Sequence, residues 1–339
     1  MERRQAGVEN VGMMTDFWQG RRVFITGASG VIGSWLVKEL LRHRSHVTAL
    51  VRDSDYHSEL FRSGDIKRVS VVNGALEDFW TLNRVINKYE PETVFHLGAQ
   101  TIVGIAQRSP LATFEANIRG TYNLLEACRL HAGIVRQIVV ASSDKAYGDH
   151  GASVYTENMP LKGNHPYDVS KSCADLLAQT YFRTYALPVA IARCGNVYGG
   201  GDLNWSRIVP GTIRSLINGE RPIIRSDGTF VRDYIYVKDV VHAYMRLAEC
   251  LTCLEVPGQA FNFSTEQPKS VLEVVAVLRA LMNCTHIEPE IVNTAVGEIR
   301  SQQLSIANAR AILAWEPSYN LETGLKETVA WYKDSPSQD

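Results

Sequence analysis

The chain has 339 residues, of which 45% are hydrophobic and 21% charged, and its formal net charge is -1. This composition supports a full hydrophobic core and excludes global disorder, and the length fits one large α/β domain or two closely joined ones. Near-neutral charge without a basic stripe argues against nucleic-acid binding, and there is no apolar run of about 18 residues to span a membrane.

The amino-terminal residues 1–16 predict a flexible tail rather than a signal peptide, because the charges at residues 2–4 are not followed by an apolar run. The six scattered cysteines are typical of a reduced, cytoplasmic protein. One Cys-x-x-Cys, at Cys250 and Cys253, has no second pair and no nearby histidine ladder, so no metal site is predicted.

Strand and helix patterns alternate through the first 195 residues. Short β-branched and aromatic runs predict strands at 22–26, 46–51, 69–73, 93–97, 137–141 and 189–193. Apolar residues at helical spacing predict helices at 34–41, 80–89, 114–131 and 167–185. The alternation favours right-handed βαβ crossovers, and therefore a Rossmann-type doubly wound parallel sheet.

The pattern changes after Gly195, where loop signals and shorter elements begin. We therefore predict a dinucleotide-binding Rossmann domain over residues 17–195 and a smaller C-terminal α/β substrate lobe over 196–339. Two segments of the lobe, near 237–248 and 260–264, are expected to return to the large domain.

A glycine-rich loop follows the first predicted strand and opens a helix. In it, Gly27 permits a tight turn, Gly30 lets the backbone approach a pyrophosphate, and Gly33 lets helix and strand pack closely. The phosphates of a dinucleotide are expected at the helix N-terminus, where free N–H groups and the helix dipole favour anions. The residues predicted to bind it are Gly27, Ser29, Gly30, Val31, Ile32 and Gly33.

The end of the second strand leaves the choice of dinucleotide open. NAD binders usually place a carboxylate there for the ribose hydroxyls, and Asp53 fits this role if the strand ends one residue later than Val51 suggests. Arg52 could instead meet a 2′-phosphate and favour NADP, or could only stack on the adenine. NAD and NADP therefore both remain candidates for the cofactor.

Tyr167 and Lys171 lie four residues apart on one predicted helix, so both side chains share a face. An ammonium there stabilises a phenolate and lowers the tyrosine pKa from its usual ~10, which makes the phenol a base for a sugar hydroxyl. The pair lies downstream of Ser143 and of the glycine-rich loop, and the three motifs in this order indicate hydride-transfer chemistry.

With these motifs in place, residues 17–332 resemble extended short-chain dehydrogenase/reductases of the NAD-dependent nucleotide-sugar epimerase/dehydratase family. Within it the chain is most similar to the CDP-glucose 4,6-dehydratases, in its opening segment 17–24, its Ser143-Asp144-Lys145 triplet and its loops 195–202 and 207–210. Segments 227–234 and 297–300 look more like those of general epimerases.

The resemblance implies roles for individual residues. Ser143, Tyr167 and Lys171 correspond to the family's hydride-transfer triad, and Lys171 also to the residue that holds the nicotinamide ribose. Positions expected to line the cofactor are Ala75, Leu76, Leu97, Gly98, Ala99 and Asn117, although Ala75 replaces the family's usual aspartate. Positions expected to contact the substrate are Gln100, Asn196, Arg207, Arg232 and Arg300, where the last two correspond to arginines that clamp the pyrophosphate.

The triplet bears on which reaction is catalysed. A 4,6-dehydratase needs an acid and a base near C5 and C6 of the sugar in addition to Tyr167. Asp144 is the candidate acid if burial raises its pKa, and Lys145 is the candidate base if it loses its proton. The alternatives are a loop aspartate beside a solvated lysine in a nucleotide-sugar 4-epimerase and, more remotely, a non-catalytic dinucleotide-sensing scaffold.

The helices near 120–131 and 167–185 carry apolar residues on more than one face, among them Leu124, Leu125 and Leu176. In the family this chain resembles, two such helices pair across a twofold axis, so we expect a homodimer through a four-helix bundle. Burial under loops of the same chain is the competing interpretation.

Overall fold

The computed structural model describes residues 17–151, 153–294 and 299–334, so the predicted tail lies outside the described residues. The strands within these ranges are, in chain order, β1 (Arg22–Thr26), β2 (His46–Val51), β3 (Ser70–Asn73), β4 (Thr93–His96), β5 (Gln137–Ala141), β6 (Val154–Tyr155), β7 (Val189–Cys194), β8 (Asn196–Tyr198), β9 (Ile223–Ile224), β10 (Val231–Arg232), β11 (Tyr234–Tyr236), β12 (Ala260–Phe263), β13 (Lys269–Ser270), β14 (Glu290–Ile291) and β15 (Ser301–Leu304).

The helices within the same ranges are α1 (Val31–Arg42), α2 (Glu59–Arg62), α3 (Phe79–Tyr89), α4 (Val103–Arg108), α5 (Pro110–Phe114), α6 (Gly120–Leu130), α7 (Pro166–Tyr185), α8 (Ile208–Ile217), α9 (Val237–Cys250), α10 (Val271–Leu281), α11 (Ala307–Leu313) and α12 (Leu321–Lys333). Their starts follow local chemistry. The Asp78 side chain caps α3, Pro166 occupies the first turn of α7, and Ser270 and Glu273 form a capping box on α10.

Seven strands of the described chain form one parallel sheet in the order β12-β7-β5-β4-β1-β2-β3. The order reverses direction between β1 and β4, which in open α/β sheets marks the crevice where ligands bind. The structure confirms the predicted Rossmann-type doubly wound sheet.

Apolar side chains cover both faces of this sheet. One face packs against α1 and α9, with Leu36, Leu40 and Met245 fully buried. The other packs against α3, α6 and α7, through residues such as Ile86 and Leu124. A parallel sheet needs cover on both faces, and this two-sided core supplies it.

The smaller lobe contains a four-stranded sheet in the order β13-β10-β15-β6 and a helical cluster formed by α8, α10 and α12. Strand β12 and helix α9, from beyond residue 196, join the large sheet and its core, whereas β6, from before residue 195, pairs with β15 of the lobe. The chain therefore crosses between the two parts several times, and a boundary at residue 195 stays a prediction. Across the described residues, no helix combines the length and apolar character that crossing a membrane requires.

Candidate active site

The glycine-rich loop lies at the carboxyl end of β1, beside the carboxyl end of β4. Gly27 has φ +71°, and a Cβ added to it would lie 2.6 Å from the backbone nitrogen of Gly98. A Cβ on Gly33 would lie 2.1 Å from the carbonyl oxygen of Gly27. Side chains at either position would collide with main chain, so both glycines are required by the geometry of the turn.

This loop fits a dinucleotide pyrophosphate. Gly30 is the N-cap of α1 with extended backbone, no described side chain caps the helix, and its first turn carries no acidic residue. The N–H groups at the start of α1, around Val31 and Ile32, thus belong to an uncapped helix N-terminus suited to an anion. Ser29 lies on the same turn and is partly buried.

The expected adenosine end of this crevice is open at the end of β2. Arg52 and Asp53 are both exposed there, and the Arg52 Nε donates to Asp53 Oδ2 at 2.6 Å. The two residues predicted to contact the ribose, Arg52 and Asp53, are therefore paired with each other. Leu76 packs within van der Waals reach of the Gly98 and Gly120 backbones, and Ala75 closes the turn before α3 through its carbonyl oxygen.

A hydrogen-bonded chain of neutral groups supports the loop after β4. The Gly98 N–H donates to Thr26 Oγ1 at 3.1 Å, and Thr26 Oγ1 lies 2.8 Å from His96 Nδ1. His96 Nε2 lies 3.0 Å from Thr121 Oγ1, whose hydroxyl donates to the carbonyl of Asn117. Because each hydroxyl donates onward, His96 carries its proton on Nε2. Burial, with a contribution from Lys171, lowers the pKa of His96 to about 3, so it is a neutral structural residue.

Asn117 interrupts the helix predicted over 114–131, because a π-helical turn, Glu115–Arg119, joins α5 to α6. Its side chain bonds both backbone groups of Gln100, at 2.7 and 3.0 Å, and donates to Ser170 Oγ at 2.9 Å. Gln100 Oε1 accepts from the Ile102 N–H at 2.7 Å, which turns this oxygen back onto its own loop. Asn117 thus ties the loop 97–100, including Leu97 and Ala99, to α7; contacts of Asn117 with cofactor and of Gln100 with substrate stay predictions.

The structure brings Ser143, Tyr167 and Lys171 together at the ends of β5 and α7. Ser143 caps a 3₁₀ turn, Asp144–Tyr147, and its hydroxyl lies near enough to the Tyr167 phenol to lower the pKa of that phenol. Lys171 lies one turn after Tyr167 and is buried, and its Nζ donates to the carbonyl of Ala141 at 2.7 Å. Burial lowers the pKa of Lys171 to about 8.

The expected lowering of the Tyr167 pKa by Lys171 is wrong for the ligand-free chain. Burial raises the pKa of Tyr167 to about 12, and the opposing effects come from the Ser143 hydroxyl and the charge of Arg207. The ammonium of Lys171 is bonded to a main-chain carbonyl instead. At neutral pH the phenol is therefore protonated before any ligand binds.

Asp144 and Lys145 lie beside this triad. The Asp144 carboxyl is almost fully buried, accepts from the Ser143 hydroxyl at 3.1 Å and lies 3.7 Å from Lys145 Nζ. Lys145 Nζ also donates to Gln302 Oε1, and Gln302 Nε2 donates to the Asp144 carbonyl at 2.8 Å. An acidic group thus contacts the serine hydroxyl, a basic group lies 3.7 Å from that acidic group, and the charge of Asp144 acts on Tyr167.

The predicted substrate residues lie on the lobe side of the crevice. Arg207 precedes α8, pairs with Asp202 at 2.9 Å and acts electrostatically on Tyr167. Arg232 is buried on β10 and donates to the carbonyls of Val231 and Arg300, so the two proposed clamp arginines are neighbours. Asn196 starts β8 and is partly buried. Of the segment 297–300, Gly297 and Glu298 lie outside the described residues.

Two features of the site escaped sequence reasoning. Gln302 has no motif around it, and it comes to Lys145 through the tertiary placement of β15 between β10 and β6. Behind the 144–147 turn, Arg193 pairs with Asp175 at 2.8 and 2.9 Å and donates to the Tyr147 hydroxyl at 2.8 Å. The placement of Asp175 one turn after Lys171 is the signal that could have suggested this buried ion pair.

Comparisons with known proteins agree with this architecture. The sequence model of the NAD dependent epimerase/dehydratase family matches residues 23–262. The CDP-glucose 4,6-dehydratase of Salmonella typhimurium is 31% identical, over 94% of this chain and 92% of its own. Among solved structures, the dTDP-glucose 4,6-dehydratase of Bacillus anthracis in complex with NAD is 27% identical with a TM-score of 0.81, covering 92% of this chain and 96% of that one.

The UDP-glucose 4-epimerase of Thermotoga maritima, solved with UDP-glucose, is 28% identical with a TM-score of 0.83, covering 92% of this chain and 98% of its own. The family match spans more than half of the 339 residues. It includes the glycine-rich loop, Ser143, Tyr167 and Lys171. With its doubly wound sheet and these residues gathered at one edge, this chain belongs to the NAD dependent epimerase/dehydratase family.

Proposed function

We propose that this protein is a nucleotide-sugar 4,6-dehydratase, with CDP-glucose as the favoured substrate. The observation that carries the proposal is the buried Asp144 carboxyl 3.7 Å from Lys145 Nζ, on the turn that begins at Ser143. Epimerisation at C4 needs no such acid–base pair, whereas elimination of water needs both members. The similarity to a CDP-glucose 4,6-dehydratase supports the choice of nucleotide.

NAD held by the glycine-rich loop and Lys171 would supply the hydride acceptor for C4 and the hydride donor for C6, and its positive nicotinamide would favour a Tyr167 phenolate. Tyr167 takes the proton of the C4 hydroxyl. Lys145, as the neutral amine, takes the proton from C5, and the electron pair of that C–H bond moves toward the C4 ketone. Asp144 gives its proton to the C6 hydroxyl, which leaves as water.

The acid–base pair balances over one turnover. It begins with a protonated carboxyl and a neutral amine, and elimination leaves a carboxylate beside an ammonium. When hydride is delivered to C6, the Lys145 ammonium returns its proton to C5. The proton that Tyr167 took from the C4 hydroxyl then passes to the Asp144 carboxylate by way of the Ser143 hydroxyl, 3.1 Å from Asp144 Oδ1, which restores the starting state. The product is a 4-keto-6-deoxy sugar, and no cofactor is consumed.

NAD is the cofactor that we propose over NADP. The matching family is described as NAD dependent, and a related dehydratase structure contains NAD. Asp53 supplies a carboxylate at the end of β2, and its ion pair with Arg52 partly neutralises a cation that could meet a 2′-phosphate. Dissociation constants for NAD and NADP, measured by fluorescence titration, test this choice; tighter binding of NADP would reverse it.

The decisive experiment incubates the protein with CDP-, UDP-, GDP- and dTDP-glucose and follows the products by mass spectrometry. Loss of one water from CDP-glucose is expected. A Lys145→Met variant should still oxidise C4, seen as transient reduced-cofactor absorbance, but should not release water. Turnover unaffected by this substitution would remove Lys145 from the reaction.

A nucleotide-sugar 4-epimerase is the second candidate, favoured by the similarity to a UDP-glucose 4-epimerase solved with UDP-glucose. Its product keeps the C6 oxygen, so an epimerised sugar of unchanged mass would replace the first proposal. A non-catalytic dinucleotide sensor is the remote third candidate. It would bind NAD and turn over none of the four nucleotide sugars.

We also propose a cytoplasmic homodimer formed through α6 and α7. These neighbouring helices expose large apolar side chains, among them Leu130 on α6 at 54% and Leu176 on α7 at 53%. A four-helix bundle with a second copy would cover both. Sedimentation should give a dimer that Leu176→Glu dissociates and that Ile217→Glu, on the exposed face of α8, leaves intact; a monomeric wild type would contradict the proposal.

A further inference from the structure

Gln302 connects the smaller sheet to the proposed acid–base pair. It lies on β15, its side chain is almost completely buried, and both ends of its amide are used. The oxygen accepts from Lys145 Nζ, and the nitrogen donates to the Asp144 carbonyl at 2.8 Å. The Asp144 carbonyl can only accept, so the amide nitrogen must face it and the amide oxygen is left to face Lys145 Nζ.

The strand that carries Gln302 also carries the lobe side of the site. Gln302 lies opposite Arg232 in the pairing of β15 with β10, and Arg300 comes two residues before it. Substrate phosphate held at these arginines would therefore be in fixed register with the amide that holds Lys145. A buried residue with every polar group satisfied is suited to fix that geometry.

The charged groups around Lys145 make it important that its hydrogen-bond acceptor, the amide oxygen of Gln302, is neutral. Asp144 lies on the same turn as Lys145. Burial raises the pKa of Asp168, on α7, and the charge of Lys145 opposes that rise. Both acids favour the ammonium form of the lysine. The titratable and charged groups around the Asp144–Lys145 pair include Asp168, His165 and Tyr167 from α7 and its N-cap, Tyr155 from β6, Arg232 from β10, Asp233 directly after β10, and Cys194 at the end of β7.

An amide oxygen accepts a hydrogen bond from an amine in either protonation state, because a neutral amine still carries N–H groups. A carboxylate in the same place would add a third negative charge and oppose loss of the proton. We propose that Gln302 is a positioning residue, which holds Lys145 Nζ in place through a neutral acceptor and so leaves the amine able to give up its proton. The inference rests on the proposed dehydration, in which Lys145 accepts the C5 proton.

The test uses the full chain with three substitutions. Gln302→Glu adds a charge at nearly constant shape, Gln302→Met removes both hydrogen bonds without adding charge, and Gln303→Glu adds the same charge on the partly exposed neighbour, which faces the other side of β15. Circular dichroism and thermal melting first establish that each variant is folded.

Two measurements are made on each folded variant. Trace acetylation with acetic anhydride across the alkaline range, read by mass spectrometry, gives the pH at which Lys145 becomes a reactive neutral amine in the ligand-free protein. The pH profile of dehydration, with solvent-deuterium incorporation at C5, reports the same group during turnover.

For Gln302→Glu we expect the Lys145 midpoint and the acidic limb of the pH profile to move upward together by about one unit or more. Gln302→Met should lower kcat by about tenfold without that upward displacement, because only positioning is lost. Gln303→Glu should match wild type in both measurements.

An unchanged midpoint in Gln302→Glu would overturn the inference, and so would a displaced midpoint with an unchanged dehydration profile. A kcat for Gln302→Met equal to that of wild type would overturn the positioning role. Failure of the proposed function is recognised separately, because wild-type protein would then release no water from any of the four nucleotide sugars. The positioning role of Gln302 in dehydration would then be wrong as well.

Discussion

The two lysines of the site are held in different ways. Lys171, on the large-sheet side, donates to a main-chain carbonyl and lies on the same helix as Tyr167. Lys145 donates to Gln302, whose strand lies 157 residues further along the chain. The large-sheet side is therefore built from main chain and local sequence spacing, whereas the lobe side depends on side chains that only the tertiary fold brings together.

The largest expected effect concerns the phenol on the large-sheet side. Tyr167→Phe removes the group that takes the C4 hydroxyl proton and should lower kcat about 10³-fold, in the range typical of general acid–base catalysis. NAD affinity should change little. Tyr185→Phe, on the same helix but exposed, is the matched control and should keep wild-type kcat. A Tyr167→Phe variant with near-wild-type kcat would remove hydride-transfer chemistry from this side.

The next largest effect concerns the main-chain loop. A methyl group at Gly33 would lie 2.1 Å from the Gly27 carbonyl oxygen, so Gly33→Ala should displace the loop and weaken NAD binding by about 100-fold. In Gly133→Ala the added methyl group meets no atom within 4 Å, and binding should be unaffected. Isothermal titration calorimetry measures both, and equal affinities would show that backbone packing does not set the cofactor site.

A smaller effect, on the free energy of unfolding, concerns His96 in the hydrogen-bonded chain that supports the loop after β4. His96 has a pKa of about 3 in the folded chain against an ordinary value of 6.5, so the unfolded chain binds more protons between these values. The stability that depends on neutral His96 is therefore present above pH 6.5 and is lost as the pH falls. From about pH 7 to about pH 5 the loss is about 2 kcal/mol.

Urea unfolding of wild type and His96→Asn at both pH values measures this term. The variant should lose about 2 kcal/mol less on acidification, even if it is less stable at neutral pH. His46→Asn, at an exposed histidine, should lose as much unfolding free energy on acidification as wild type. Identical pH dependence in all three proteins would mean that His96 is not held neutral.

The same comparison explains how far sequence reasoning reached. The glycine-rich loop and the Tyr167–Lys171 pair were predictable because turn geometry and helical spacing are written over a few consecutive residues. The helix predicted over 114–131 contains an unpredicted π-helical turn at Asn117, whose side chain makes buried contacts with Gln100 and Ser170. Helical periodicity carries no information about such a contact.

The pKa of Tyr167 shows a second limit. Spacing on a helix correctly predicted that Lys171 lies one turn away, but not that its ammonium bonds the Ala141 carbonyl or that burial dominates the phenol. The contact of Gln302 with Lys145 could not be predicted for a related reason. Strands of two to four residues in the smaller lobe show little periodicity in the sequence. Their pairing follows from the tertiary fold alone.

The smallest predicted effect separates the two sides of the site. Arg232→Lys keeps the charge but removes the planar fork suited to a diphosphate, so KM for the nucleotide sugar should rise about tenfold. The affinity for NAD should not change, because Arg232 lies on β10 of the four-stranded sheet and not on the nucleotide loop. Arg225→Lys, at an exposed arginine of the same lobe, should leave both quantities unchanged. Weaker NAD binding in Arg232→Lys would mean that the two sides of the site are coupled. A side-chain change in the lobe would then alter the glycine-rich loop, whose structure is expected to depend on main-chain packing alone.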